Sequence, residues 1–120
     1  MIAGVGCDLV ECARLARALE RTPRLAARLF TAAEREAAGG RVERLAGLFA
    51  AKEAVMKALG TGLRGGSWVE VEVGHDAQGR PLLQLHGSFA AVAAAQGVRA
   101  LHLSLSHTAG LAMAQVVAET

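Results

Sequence analysis

Leu48-Phe49-Ala50-Ala51-Lys52-Glu53-Ala54-Val55-Met56-Lys57-Ala58-Leu59-Gly60-Thr61-Gly62 reads as the end of a helix and its stop. The pattern extends back to residue 42 and predicts a main helix over 42–59. Gly60 closes it, because glycine readily takes the left-handed conformation of a helix end. Residues three and four apart are neighbours on a helix surface, so Ala46, Ala50, Glu53 and Lys57 share a face. The two small residues leave room for something to lie against the helix. A carboxylate and an ammonium one turn apart can serve a metal and a phosphate. The chain has 11 arginines and only two lysines, and both lysines, Lys52 and Lys57, lie here. Ammonium and guanidinium differ in geometry and in how readily they shift pKa, so the choice can carry chemical meaning.

Upstream of this helix, residues 2–10 read as a strand. Ala3, Val5, Cys7 and Leu9 share one face, and Ile2, Gly4, Gly6, Asp8 and Val10 the other. Residues 11–21 read as a helix. Thr22-Pro23 reads as an N-cap and first helical position for a short helix to about Leu29. Thr31-x-x-Glu34 is a capping box that starts a third short helix, ended by Gly39-Gly40. Downstream, Gly60 to Gly66 is a loop, Trp68 to Val73 alternates as a strand, and 76–81 is a turn. A returning strand covers 82–86, and a helix covers 88–96, ended by Gly97. Residues 98–106 and 111–118 are two strands joined around Thr108-Ala109-Gly110. This order predicts an α+β fold, an antiparallel sheet packed with a long central helix and several short helices.

The 120 residues imply one domain, 1–120. Hydrophobic residues make up 52% and aromatics 3%, so the core is built of Leu, Val and Ala with few large anchors. A modest core with an Ala-rich surface favours self-association. Cys7 and Cys12 are the only cysteines; on one extended segment they would face opposite ways, so no disulfide is expected and a reducing cytoplasm is. No signal peptide pattern or bilayer-spanning apolar run is present.

Four constellations could carry chemistry. Asp8, on the glycine-lined strand face, is a structural acid or a metal ligand. Glu53 with Lys57 is an ordinary exposed helix pair, worth about 0.3–0.5 kcal/mol, or part of a metal and phosphate site. Mg²⁺ commonly takes only one or two protein carboxylates, and Asp8 with Glu53 would meet that count. His107 falls on the inward phase of Leu101, Leu103 and Leu105. It is satisfied by a backbone carbonyl, or it contacts a phosphate with Ser106 and Thr108 beside it. Arg14, Arg17, Arg21, Arg24 and Arg28 form a ladder bent at Pro23. It is a solvated face, or it docks an acidic partner beside Leu15, Ala18 and Leu25. A net charge of +2 and scarce aromatics speak against nucleic acid.

Together these segments resemble a known family. Gly4-Val5-Gly6-Cys7-Asp8-Leu9-Val10-Glu11 looks like its opening strand, and Phe30-Thr31-x-x-Glu34 like its next marker. Phe49-Ala50-Ala51-Lys52-Glu53-Ala54 with Lys57-Ala58-Leu59-Gly60-Thr61-Gly62 matches its signature helix. Gly79-Arg80-Pro81 and Leu105-Ser106-His107-Thr108 match its last two motifs. The family is the bacterial holo-[acyl-carrier-protein] synthases, small 4′-phosphopantetheinyl transferases. The match runs nearly end to end, in order.

The resemblance implies that coenzyme A donates its 4′-phosphopantetheine arm to a serine of apo-acyl carrier protein, in fatty acid biosynthesis. It implies Asp8, Glu53 and Lys57 as catalytic residues, with Asp8 and Glu53 holding Mg²⁺. It implies coenzyme A contacts from Lys57, Gly60, Ser106, His107, Thr108 and Arg44. The arginine ladder would dock the acidic helix of the carrier protein. It also implies a homotrimer with active sites between subunits. Two positions depart from the family pattern. Leu48 stands where arginine is common, and Gln78 where asparagine is. A basic residue expected near Gly40 has Arg41 or Arg44 as stand-in. The alternative is a non-catalytic module that binds carrier protein or coenzyme A through a degenerate site.

Overall fold

The computed structural model describes residues 1–120. In chain order the elements are β1 (Ile2–Glu11), α1 (Cys12–Arg21), α2 (Leu25–Leu29), α3 (Ala32–Ala38), α4 (Val42–Leu59), β2 (Val71–His75), β3 (Pro81–Leu85), α5 (Gly87–Ala95), β4 (Ala100–Thr108) and β5 (Leu111–Glu119). The α+β class holds, with the antiparallel strands divided between two sheets. β1, β5 and β4 pair in that order, and β2 and β3 form a separate hairpin. β4 and β5 are joined by Ala109 and Gly110, both at positive φ (49° and 76°), as a tight two-residue hairpin demands.

α4 has the predicted bounds and ends on Gly60 at φ 73°. Twelve of its 18 residues are buried, so it is covered on more than one side. One side lies on the inner face of the three-stranded sheet, where alternation aims Ala112, Ala114, Val116 and Ala118 of β5 into the core. The approach of β1 is closer still. A Cβ at Gly4 would stand 2.0 Å from the Ala58 carbonyl oxygen, and one at Gly6 1.9 Å from that of Ala54. The two glycines therefore let a strand backbone rest on a helix backbone, and Asp8 is the next residue on that face. What lies against the small residues of α4 is thus β1 itself. The contact is offset around the helix to Ala54 and Ala58, beside the Ala46-Ala50-Glu53-Lys57 face.

The opposite face of β1 is bare, with Val5 54% and Leu9 64% exposed. In register beside them on β5 stand Val117 and Met113.

Two predicted segments differ in kind or start. Trp68–Glu70 is a turn of 3-10 helix and the strand starts at Val71. A second capping box winds it: Glu70 accepts hydrogen bonds from the Ser67 backbone N–H (2.6 Å) and hydroxyl (3.1 Å). α2 starts at Leu25 rather than Pro23, because Thr22-Pro23-Arg24 is spent on a turn in which the Leu25 N–H donates to the Thr22 carbonyl. Cys12 opens α1 and is buried, while Cys7 lies exposed on β1; both thiols are free. The capping box at Thr31 and Glu34 forms as predicted.

Candidate active site

Asp8 leaves β1 toward α4, and Lys57 meets it. The Lys57 ammonium donates to Asp8 Oδ1 at 3.0 Å and to the Cys7 carbonyl at 3.0 Å. The Asp8 side chain is 14% exposed and that of Lys57 55%. Glu53, one turn back along α4, is half-buried and forms no ion pair or side-chain hydrogen bond within the chain. Burial pushes its carboxyl above the usual range; the Asp8 charge pushes the same way and Lys57 pulls it back. The hydrogen bond to Asp8 holds the Lys57 pKa above its ordinary value. Two carboxylates and one ammonium thus converge within one chain; helical spacing predicts the Glu53–Lys57 pairing, whereas the family resemblance allows Asp8 and Glu53 to meet across a subunit interface instead.

Asp8 and Glu53 lie on the wall of a cleft of about 580 Å³ between β1, α1, α2 and α4. Leu15, Leu25, Leu29, Phe49 and Trp68 supply its apolar lining, and Phe49 and Trp68 stack with centroids 5.0 Å apart. Arg14 and Arg28 also border it. Arg17, Arg21 and Arg24 are exposed outside it, and none of the five forms an ion pair within the chain.

The other predicted residues divide. Gly60 caps α4 just beyond Lys57. His107, Ser106, Thr108 and Arg44 sit at the far end of the helix. His107 Nε2 lies 3.1 Å from the Glu43 carbonyl oxygen, which can only accept, so that nitrogen carries the proton. The ring fits because position 47 is glycine; a Cβ there would be 2.9 Å from Nε2. Ser106 and Thr108 face the outer side of the sheet, opposite Met113 and Leu111 of β5. From Arg44 to Lys57 the helix rises about 20 Å, so one chain does not bring these residues to Asp8. Leu48 is buried in the core, so its side chain packs there. Gln78 is exposed in the 76–80 turn, where its N–H donates to Asp76 Oδ1. Arg41 donates from Nε to the Ala38 carbonyl, and Arg44 is exposed and unpaired.

Sequence reasoning missed the role of Lys52. It is wholly buried and paired at 2.9 Å with Glu34, equally buried. It also donates to the carbonyls of Val71 (2.5 Å) and Trp68 (3.1 Å). Glu34 in turn accepts from the Val73 N–H at 2.8 Å. Burial pulls the Lys52 pKa down, and Glu34 pushes back. The signal was in the spacing: Lys52 follows Leu48 by four and precedes Val55 and Met56 by three and four, on the apolar side of α4.

Cofactor chemistry must come from oxygen donors. Asp8 and Glu53 are two carboxylates, and no cluster of three His, Cys, Asp or Glu side chains stands ready to hold a metal. A cation between them would offset both the burial of the Glu53 carboxylate and its repulsion by Asp8. The rest of its shell would come from water and a substrate's phosphates, the habit of Mg²⁺. The residues present therefore fit that ion.

Residues 4–114 match the family model described as the 4′-phosphopantetheinyl transferase superfamily. The chain is 55% identical over 119 residues to a holo-[acyl-carrier-protein] synthase of Clavibacter sepedonicus, covering 99% of this chain and 97% of the relative. Its fold superposes on the crystal structure of holo-[acyl-carrier-protein] synthase from Neisseria meningitidis with a TM-score of 0.92 at 38% identity, covering both chains fully. The Helicobacter pylori synthase, solved in complex with coenzyme A, gives 0.87 at 28% identity, with 96% of this chain and 99% of that one covered. With its ordered motifs, its fold and its paired carboxylates all in agreement, the chain belongs to the holo-[acyl-carrier-protein] synthases of the 4′-phosphopantetheinyl transferase superfamily.

Proposed function

We propose that this chain transfers the 4′-phosphopantetheine arm of coenzyme A to a serine of apo-acyl carrier protein, with Mg²⁺ held by Asp8 and Glu53. The observation that carries the reading is the convergence of Asp8, Glu53 and Lys57 beside an apolar cleft, in a chain of this family. The serine oxygen attacks the phosphorus that bears the pantetheine. The bond to the bridging pyrophosphate oxygen breaks, and adenosine 3′,5′-bisphosphate leaves. Glu53, or a water held by the metal, would accept the serine proton. Lys57 neutralises phosphate oxygens, and Gly60, with no side chain, leaves the path along the helix end open. Bound Mg²⁺ would draw charge from the attacked phosphorus and the leaving group. Positioning and charge neutralisation supply most of the catalysis in such transfers.

The ladder Arg14, Arg17, Arg21, Arg24 and Arg28 docks the acidic helix of the carrier protein. All five side chains are exposed and free of ion pairs, and two of them border the cleft. The working unit is a homotrimer. Two observations support this: the bare apolar face around Val5 and Leu9, and the division of the predicted coenzyme A contacts between the two ends of α4. In that assembly His107, Ser106, Thr108 and Arg44 of one chain would serve Asp8 and Glu53 of another. Free thiols suit a reducing, cytoplasmic setting. No helix is long and apolar enough to cross a membrane. Because Leu48 is a core residue, nothing in its placement favours a degenerate site.

Asp8→Ala and Glu53→Ala should each reduce transfer to apo-acyl carrier protein by more than about 100-fold at limiting Mg²⁺, because losing a ligand costs more than losing the hydrogen-bond partner of one, for which about 10–100-fold is typical, with unchanged circular dichroism. Wild-type rates in both variants would remove the metal assignment.

A further inference from the structure

Lys57 stands where a metal-bound Asp8 would need room. Its ammonium is the only group that hydrogen-bonds the Asp8 carboxylate, and the Cys7 carbonyl holds it there from the other side. Glu53, the second carboxylate, has no partner of its own. Lys57 therefore sets one monovalent cation on the carboxylate that the metal assignment gives to a divalent one.

We infer that Lys57 is a place-holder: its ammonium neutralises Asp8 in the free protein and leaves it when a divalent cation enters, to be taken up by the phosphates of the ligand that arrives with the cation. The inference rests on the assignment of Asp8 and Glu53 as metal ligands. An ammonium and a dication on one carboxylate oxygen repel each other, so the two occupants of Asp8 compete. The side chain of Lys57 is more than half exposed and only two of its three N–H donors are engaged, so little packing opposes its departure. A free cation must evict the ammonium into water, whereas a cation carried by a pyrophosphate supplies the ammonium with new acceptors. Metal and coenzyme A therefore bind with positive coupling, and by linkage each strengthens the other equally. One residue thereby guards the empty site and serves the loaded one.

This role has a signature that other roles lack. A residue that only contacts phosphate would leave the affinity for free metal unchanged when removed. One that only props up Asp8 would weaken metal binding when removed. A place-holder strengthens it, because the cluster changes from one net negative charge to two.

The test is Mn²⁺ titration of the intact protein without coenzyme A, by electron paramagnetic resonance, comparing wild type with Lys57→Met. Lys57→Met should bind free Mn²⁺ on the order of tenfold more tightly, the scale expected for removing one nearby charge in a mostly aqueous setting. Coenzyme A should then raise Mn²⁺ affinity less in the variant than in wild type. Lys57→Gln, which keeps a donor for Asp8 without the charge, should show the same tightening, and matching thermal melts establish that both variants fold. Unchanged or weaker Mn²⁺ binding in both variants overturns the place-holder and leaves the metal site standing. If wild type takes up no Mn²⁺ even with coenzyme A, the metal assignment itself fails and the inference falls with it.

Discussion

Lys52 is wholly buried and Lys57 is mostly in solvent, although both belong to α4. Their positions around the helix decide this. Lys52 falls in line with Leu48 and Met56, and it reaches Glu34 of α3 and the carbonyls of Trp68 and of Val71, the first residue of β2. The Phe30 ring lies 5.9 Å from its ammonium. Removing one partner of such a pair leaves an uncompensated buried charge. Lys52→Met should therefore cost about 3–5 kcal/mol of unfolding free energy, read by urea denaturation. Lys52→Met with Glu34→Gln should recover part of the loss, since the amide still accepts from Val73. Two equal, small losses would mean that the pair is solvated. Lys57 faces Asp8 across the β1 contact, and its chemistry belongs to the site.

At the level of elements, the site depends on how closely β1 lies on α4. Gly6→Ala would drive a Cβ into the Ala54 carbonyl, so the strand must move away. A cost of about 1–3 kcal/mol is expected from overpacking of this kind, together with slower transfer as Asp8 shifts from Glu53. Unchanged stability and rate would show that the contact is soft. Glu70 holds the start of α5 by accepting the Ser88 N–H (2.5 Å), and it anchors Ser67 as well. These hydrogen bonds hold its carboxyl below the ordinary value of 4.5. A depressed carboxyl gives stability that is complete above the unfolded pKa and is lost as pH falls through the folded one. Glu70→Gln should therefore be less stable than wild type at pH 7, and the gap should close as pH falls below about 4.5. A gap that is constant with pH would contradict this.

The same elements show what the sequence could carry. The bounds of α4 were legible because its glycine stop and its apolar spacing are local signals. The capping box of α3 was legible for the same reason. Trp68–Val73 misled because its alternation is that of a strand, while the Ser67–Glu70 box winds its first three residues into a turn. Glu53 and Lys57 could be paired from one helical spacing and Asp8 placed on the glycine-lined face of its strand, but their meeting within one chain depends on the close packing of β1 on α4, which no local signal carries. The carbonyl that satisfies His107 and the acid that pairs with Lys52 could not be read either, because both contacts are made between distant segments.

At the scale of the whole molecule, the bare face of the β1–β5–β4 sheet is the main feature a single chain leaves unexplained. Val5, Leu9 and Leu111 are large apolar side chains in water there, joined by Ile2, which the register shift between Ile2 and Gly4 turns to this face rather than to that of Gly4 and Asp8. The proposed homotrimer, three chains of 12.4 kDa each, is expected to place a neighbour on this face. Sedimentation equilibrium should give that mass for wild type. Leu9→Glu should give monomers, with transfer falling together with assembly. A wild-type monomer that is fully active would contradict the shared site.

The central claim is the reaction itself. Apo-acyl carrier protein should be incubated with this protein, coenzyme A and Mg²⁺, and its intact mass measured, with a parallel sample in EDTA. The account predicts the gain of one phosphopantetheine group with Mg²⁺ and none with EDTA. No gain, on a carrier protein that another transferase does modify, would contradict it.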